Sequence, residues 1–237
     1  MLQHKRNERW EPSADQLRQS IKERTLQILG GSLEFPTDHR LRYLLDNIEC
    51  NQLTAVEFGS WHGWHTATLS RKFRHVIAVD ARPTNVAFAL LRLKLLGINN
   101  VDVVLSDVQS FEFNCDVLVH IGVLYHLSFP IKHLYHVLPK CHTICLDTHI
   151  GDEDRPHLTP SYEVYNDEIY YGKNFPDGDW DDALSGVCGT SFWPNLAEIH
   201  RVLNNLRFKI LHEHRHMVDP GPRVTIVASK RCGRILM

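Results

Sequence analysis

The chain has 237 residues, 43% of them apolar and 23% charged, which is enough to bury a core without disulfides or metals as staples. Its 26 basic residues stand against 28 acidic ones, so neither disorder driven by self-repulsion nor a global pull toward nucleic acid or an anionic membrane fits. No run reaches the roughly 18 apolar residues of a membrane span.

The polar, mixed-charge stretch from Met1 to Glu11 does not read as a signal peptide. The six cysteines (Cys50, Cys115, Cys141, Cys145, Cys188 and Cys232) form no CxxC pair, and a reduced, cytoplasmic setting is expected. Histidine is the compositional oddity, with 16 copies. No HExxH and no Cys/His set with zinc spacing occurs, so no metal is expected.

Two amphipathic helices are expected first, over Pro12 to Leu29 (closed by Gly30-Gly31) and over Thr37 to Ile48. Together they suggest an N-terminal helical lid over residues 1–49. β-rich runs then alternate with helical ones. The runs are Thr54–Phe58, His75–Asp80, Val101–Asp107, Asp116–Gly122 and Thr143–Asp147; the helical segments are Thr66–Phe73, Thr84–Leu96 and Ile131–Leu138. That alternation predicts an α/β fold with a doubly wound, mostly parallel sheet.

From Gly151 to Asp182 the periodicity lapses into a segment with ten acidic residues and only Arg155 and Lys173 as bases. Tyr162, Tyr165, Tyr170 and Tyr171 favour an ordered insertion, bounded at about 151–193, within a main domain of residues 50–237. Asn195 with Glu198 reads as a capping box opening a helix to about Leu206. Strands Phe208–Glu213 and Arg223–Ser229 close the chain around Asp219-Pro220-Gly221-Pro222.

The chemistry-bearing residues sit at strand ends. The first strand runs into Glu57-Phe58-Gly59-Ser60-Trp61-His62-Gly63, a glycine turn that brings bare backbone to a ligand. The second strand ends in Asp80, 21 residues beyond Gly59, where a carboxylate can take both hydroxyls of a ribose. The third ends in Ser106-Asp107-Val108. Open α/β sheets bind ligands at such carboxyl ends.

These residues resemble the class I S-adenosylmethionine-dependent methyltransferases over about residues 50 to 230. The resemblance implies a seven-stranded sheet with a reversed last strand and S-adenosylmethionine as cofactor. It implies that Glu57, Gly59, Ser60, Trp61 and Gly63 wrap the methionine part and that Asp80 holds the ribose. Asp107 would meet the adenine amino group, with Val108 beside the ring, and His120 would lie on the same rim. The commoner loop of that family has glycine at the position of Trp61. Gly122-Val123-Leu124-Tyr125-His126 followed by Pro130, and Ser191-Phe192-Trp193-Pro194, are similar to the branch that carboxymethylates the tRNA wobble uridine. Leu127 stands where that branch has a basic residue, so plain S-adenosylmethionine is expected. The GxGxxG of dinucleotide-binding dehydrogenases is absent.

Methyl transfer to a hydroxyl benefits from a base. Candidates are His126, beside Tyr125, then His149 and His120. Asp147 and His149 also form a D-x-H pattern. The expected function is methyl transfer to a small-molecule acceptor. An RNA-modifying enzyme and a non-catalytic cofactor-binding protein are the alternatives.

Overall fold

Strand interiors are runs of aliphatic residues, and the sheet they build positions everything else. The computed structural model describes residues 13–28, 37–178, 185, 186 and 189–230. The chain divides into two units, residues 1–35 and 36–237. In the first, α1 (Ala14–Ile28) opens on a reciprocal capping box. Ser13 N–H donates to Gln16 Oε1 at 2.8 Å and Gln16 N–H to Ser13 Oγ at 3.2 Å, which satisfies two donors otherwise orphaned at a helix start. The expected start at Pro12 and the Leu29-Gly30-Gly31 end lie outside the described residues.

The second unit runs α2 (His39–Leu45), β1 (Thr54–Phe58), α3 (Trp64–Ser70), β2 (His75–Asp80), α4 (Pro83–Leu95), β3 (Val101–Leu105), β4 (Cys115–Ile121), α5 (Pro130–Val137) and β5 (Cys141–His149). It continues with β6 (Thr159–Tyr165), β7 (Glu168–Pro176), β8 (Thr190–Pro194), α6 (Leu196–Asn205), β9 (Lys209–Val218) and β10 (Gly221–Ser229). The main sheet has the order β3-β2-β1-β4-β5-β10-β9. Strands β1 to β5 are parallel, and β10 runs antiparallel to both β5 and β9. This is the expected doubly wound sheet with its last strand reversed. The order switches direction between β1 and β4, which opens a crevice at their carboxyl ends.

Alternation along the strands feeds two apolar layers. Leu118, Ile144, Leu146 and Ile226 face α5 and α6. Val117, Val119, Cys145 and Val227 face Leu41, Leu44 and Leu69 of α2 and α3. The second helix is therefore part of the sheet-bearing unit and shorter than expected. Its N-cap is Asp38, whose side chain accepts from Arg40 N–H at 2.9 Å.

The segment expected as an ordered acidic insertion holds a second, three-stranded antiparallel sheet in the order β6-β7-β8. Asn166 and Asp167 form the two-residue turn between β6 and β7, with φ of 49° and 62°, the left-handed pair that tight hairpins need. Two of the insertion's acids cap helices. Glu163, 5% exposed, accepts from Ile131 N–H at 2.9 Å and Lys132 N–H at 2.8 Å, closing the start of α5. Asp152 accepts from Leu196 N–H at 2.7 Å at the start of α6. The capping box expected from Asn195 and Glu198 does not form. Glu198 Oε1 instead accepts from Tyr171 N–H, while Asn195 N–H donates to the Tyr171 carbonyl. The helix start is stitched to β7.

Glu163→Ala strips two helix N–H groups of their partner, and water cannot readily replace it in this buried position. The expected loss is about 1–2 kcal/mol of unfolding free energy, read from urea titration, with little change in the denaturant slope.

Candidate active site at the carboxyl edge of the sheet

The turn after β1 is shaped by backbone conformation. Gly59 has φ 70°, and a Cβ there would run into Val123 Cγ2. Only glycine lets the β1 turn and the β4 turn touch. Trp61 also adopts a left-handed φ, 45°, which accounts for the preference for glycine at this place in the related loop. Its N–H donates to Asp80 Oδ2 at 2.9 Å. Asp80, 6% exposed, also accepts from Arg82 N–H at 2.9 Å and Asn85 Nδ2 at 3.1 Å. Two of these donors fill Oδ1 and one binds Oδ2, which fixes the carboxylate while leaving acceptor capacity on Oδ2.

One cavity of about 450 Å³ gathers these strand ends, within the range of small-molecule sites. Gly59, Ser60 and Trp61 line it from the first turn, Asp80 and Asn85 from the second, Asp107 and Val108 from the third, and Gly122, Val123, Tyr125 and His126 from the fourth. Ser60 is 2% exposed and its Oγ has no partner among the described residues.

α2 adds Asp38 and Arg40 to the wall. Arg40 holds Asp38 by two side-chain bonds, at 2.9 and 2.6 Å, and reaches Asp147 at 3.2 Å. Burial opposes ionisation of Asp38, but hydrogen bonds from His65 and Arg40 outweigh it and hold the carboxyl well below the usual range.

Tyr125 and His126 sit on a single 3-10 turn after β4. That turn is fixed from the insertion. Trp193 Nε1 donates to the Tyr125 carbonyl at 3.1 Å, and Phe192 N–H to the Leu127 carbonyl at 3.0 Å. The His126 side chain is 16% exposed and its Nδ1 lies 2.7 Å from Asp177 Oδ2. Arg223 stacks its guanidinium 4.9 Å from the Tyr125 ring centre. Burial raises the Tyr125 phenol above its ordinary range.

No protein-family model and no curated protein sequence matches the chain. Solved structures do. The N-terminal domain of EvdMO1, crystallised with SAH and D-fucose, is similar at 17% identity and TM-score 0.66, covering 90% of this chain and 96% of that one. An S-adenosylmethionine-dependent methyltransferase from Mesorhizobium loti gives 13% identity and TM-score 0.58 over 85% and 99%. One from Clostridium acetobutylicum gives 10% and 0.56 over 90% and 98%. The fold is that of the class I methyltransferases.

In this methyltransferase fold, four expected residues lie off the cavity. Glu57 is buried beneath the first turn, where it accepts from Thr66 Oγ1 at 2.5 Å. Gly63 caps α3 and packs against Ala89. His120 shares the face of Leu118 and pairs Nε2 to Nε2 with His133 at 3.0 Å. Burial lowers its pKa to about 4. His149, 3% exposed, stacks on Trp193 at 4.5 Å and bonds the Pro222 carbonyl at 3.2 Å. Burial, then the Arg223 charge, lowers its pKa to about 4. Of the histidines weighed as bases, the structure brings His126 alone to the cavity. Asp147, half of the D-x-H pattern, pairs with Arg40 and Arg223 and accepts from Thr225 Oγ1 at 2.8 Å. Sequence reading missed Asp38, Arg40, Asn85 and Asp177. Only Asn85, one helical turn past Asp80, carried a local signal.

Burial, and secondarily the Asp80 charge, pushes the Glu57 pKa up to about 8, while the Thr66 hydrogen bond opposes the rise. A raised carboxyl binds its proton more tightly folded than unfolded. Its stabilising contribution is therefore complete below about pH 4.5 and lost as pH climbs through about 8. Glu57→Gln should flatten this part of the profile, so the melting temperature of the native chain should fall more between those limits than that of the variant.

Proposed function

We propose that the protein transfers a methyl group from S-adenosylmethionine to a hydroxyl of a small molecule. The observation that carries this reading is the single cavity joining a glycine turn, two rim carboxylates and a carboxylate-held histidine. The residues fit the cofactor. Asp80 Oδ2 has spare acceptor capacity for a ribose hydroxyl, and Asp107 with Val108 offers an acceptor beside an apolar wall for adenine. Ser60 Oγ, orphaned in the described structure, together with Arg40 and Asp38, suits the charged amino-acid end. The same fold crystallised with SAH in EvdMO1 supports the assignment.

Bound there, S-adenosylmethionine would supply an electrophilic sulfonium methyl for an acceptor oxygen, with a neutral thioether as the leaving group that would keep the carbon–sulfur electron pair. The chain's task is then mainly positioning and exclusion of water. His126 takes the proton of the acceptor hydroxyl at Nε2, the nitrogen not facing Asp177. Tyr125 and Leu127 supply the apolar and hydrogen-bonding walls beside it.

The preference for a small acceptor rests on cavity size and not on an acidic barrier. Glu163 and Asp152 cap helices, Asp154 pairs with Lys173, and among the described insertion acids Asp177 is the one that contacts His126 on the cavity wall. D-fucose in the EvdMO1 structure supports a sugar-like hydroxyl compound as the class to try. Buried free thiols at Cys50, Cys115, Cys141 and Cys145 support a cytoplasmic setting. No helix among the described residues is long and apolar enough to cross a membrane.

Asp80→Ala should weaken SAH binding at least tenfold, about 1.4 kcal/mol, by calorimetry. Unchanged affinity would remove the ribose assignment. With labelled S-adenosylmethionine and a panel of neutral monosaccharides and phenols, the native chain should label a hydroxyl, and His126→Ala should turn over about 100-fold more slowly. Transfer to primary amines with none to hydroxyls would overturn the acceptor class.

A further inference from the structure

We infer that Asp177, delivered by the insertion from 51 residues away in sequence, is the positioning residue that sets the tautomer of His126. The inference rests on the reading of His126 as the proton acceptor and extends it to a residue on the second sheet.

The geometry is specific. Asp177 follows β7 directly, and its side chain is 4% exposed. Oδ2 accepts Gly186 N–H at 3.0 Å while lying 2.7 Å from His126 Nδ1, and Oδ1 accepts Gly178 N–H at 3.0 Å. An oxygen already taking a backbone donor acts as an acceptor, so the ring nitrogen facing it carries a proton. In the neutral ring the lone pair then resides on Nε2. When Nε2 gains a proton, the resulting cation already faces a carboxylate at contact distance and needs no rearrangement to be stabilised. A ring without this partner exchanges between its two tautomers and spends part of its time with Nε2 protonated and unable to accept.

The same oxygen ties down Gly186, which with Ser185 lines the cavity. Gly186 sits so close to the turn that a Cβ would lie 2.6 Å from the His126 carbonyl. The carbonyls of Ser185 and Gly186 accept from Arg82 Nη2 at 2.9 and 3.3 Å, and Arg82 N–H is bound by Asp80. A continuous set of hydrogen bonds therefore runs from the ribose carboxylate, through residues 185 and 186, to the histidine. One carboxylate oxygen registers both the ring and the Gly186 backbone.

The test uses the full chain with ¹⁵N-labelled histidine. His126, assigned by the signal lost in His126→Gln, should show the Nδ1–H form at neutral pH. In Asp177→Ala it should shift toward the Nε2–H form, and Asp177→Glu should restore the native pattern at least in part. An Nε2–H ring in the native protein overturns the inference without any variant, as does an unchanged tautomer in a folded Asp177→Ala. With a hydroxyl acceptor, Asp177→Ala should lower kcat at least tenfold with a smaller change in the acceptor KM, and an equal loss of kcat/KM through a raised KM alone would contradict it. Failure of the native chain to bind SAH would strike the cofactor reading and leave the tautomer result standing.

Discussion

Asp147 is wholly buried at the end of β5, and two guanidiniums meet there. A carboxylate in such a place must be paired, because removal of one partner leaves an uncompensated charge that costs several kcal/mol. The pairing ties together three elements distant in sequence. Arg40 comes from α2, Arg223 from β10, and Thr225 supplies a hydroxyl two residues further along the same strand. Through Arg40 the cluster fixes Asp38 on the cavity wall, and through Arg223 it presses on the ring of Tyr125. The shape of the cavity's inner end thus depends on one charge that has no access to water. Apolar packing could hold α2 on the sheet, but it would not fix the direction of a guanidinium. The charged cluster does.

The main sheet was legible because parallel strands buried on both faces leave continuous aliphatic runs. β1 and β2 keep the bounds their residues suggest, and Asp80, Asp107 and Tyr125-His126 fall at the crevice for that reason. The insertion was not read as a sheet, although Tyr162, Val164, Ile169 and Tyr171 alternate around Asn166-Asp167. These four apolar residues point outward and are exposed, while Glu163 on the opposite face is buried. Tyr170, directly opposite Glu163, is buried with it, so both faces carry apolar residues and the simple alternation of a half-buried strand is lost. A carboxylate sits on the buried face because Glu163 caps a helix distant in sequence, a partner that no local window contains. Asp38, Arg40 and Asp177 were invisible for the same reason. Glu198 shows the converse error, since its spacing from Asn195 suits a local cap but a strand N–H takes the carboxylate.

Histidines divide by what surrounds them. His120 and His149 lie in apolar packing that disfavours a charge, one against His133 and one against Trp193. His126 lies on the cavity against a carboxylate. Burial and partner separate the packing imidazoles from the one that lines the cavity, and the 16 copies in the sequence gave no means of sorting them.

The left-handed backbone at Trp61 places its indole in the cavity wall, stacked on His62 at 4.4 Å and 5.1 Å from Trp64, which also lines the cavity. Two of the chain's five tryptophans therefore share one wall with whatever enters. The molecule carries its own optical probe: a purine or a cation arriving against these indoles changes the polarity and stacking they sense. Intrinsic emission can then follow occupancy in real time without a label or a known acceptor.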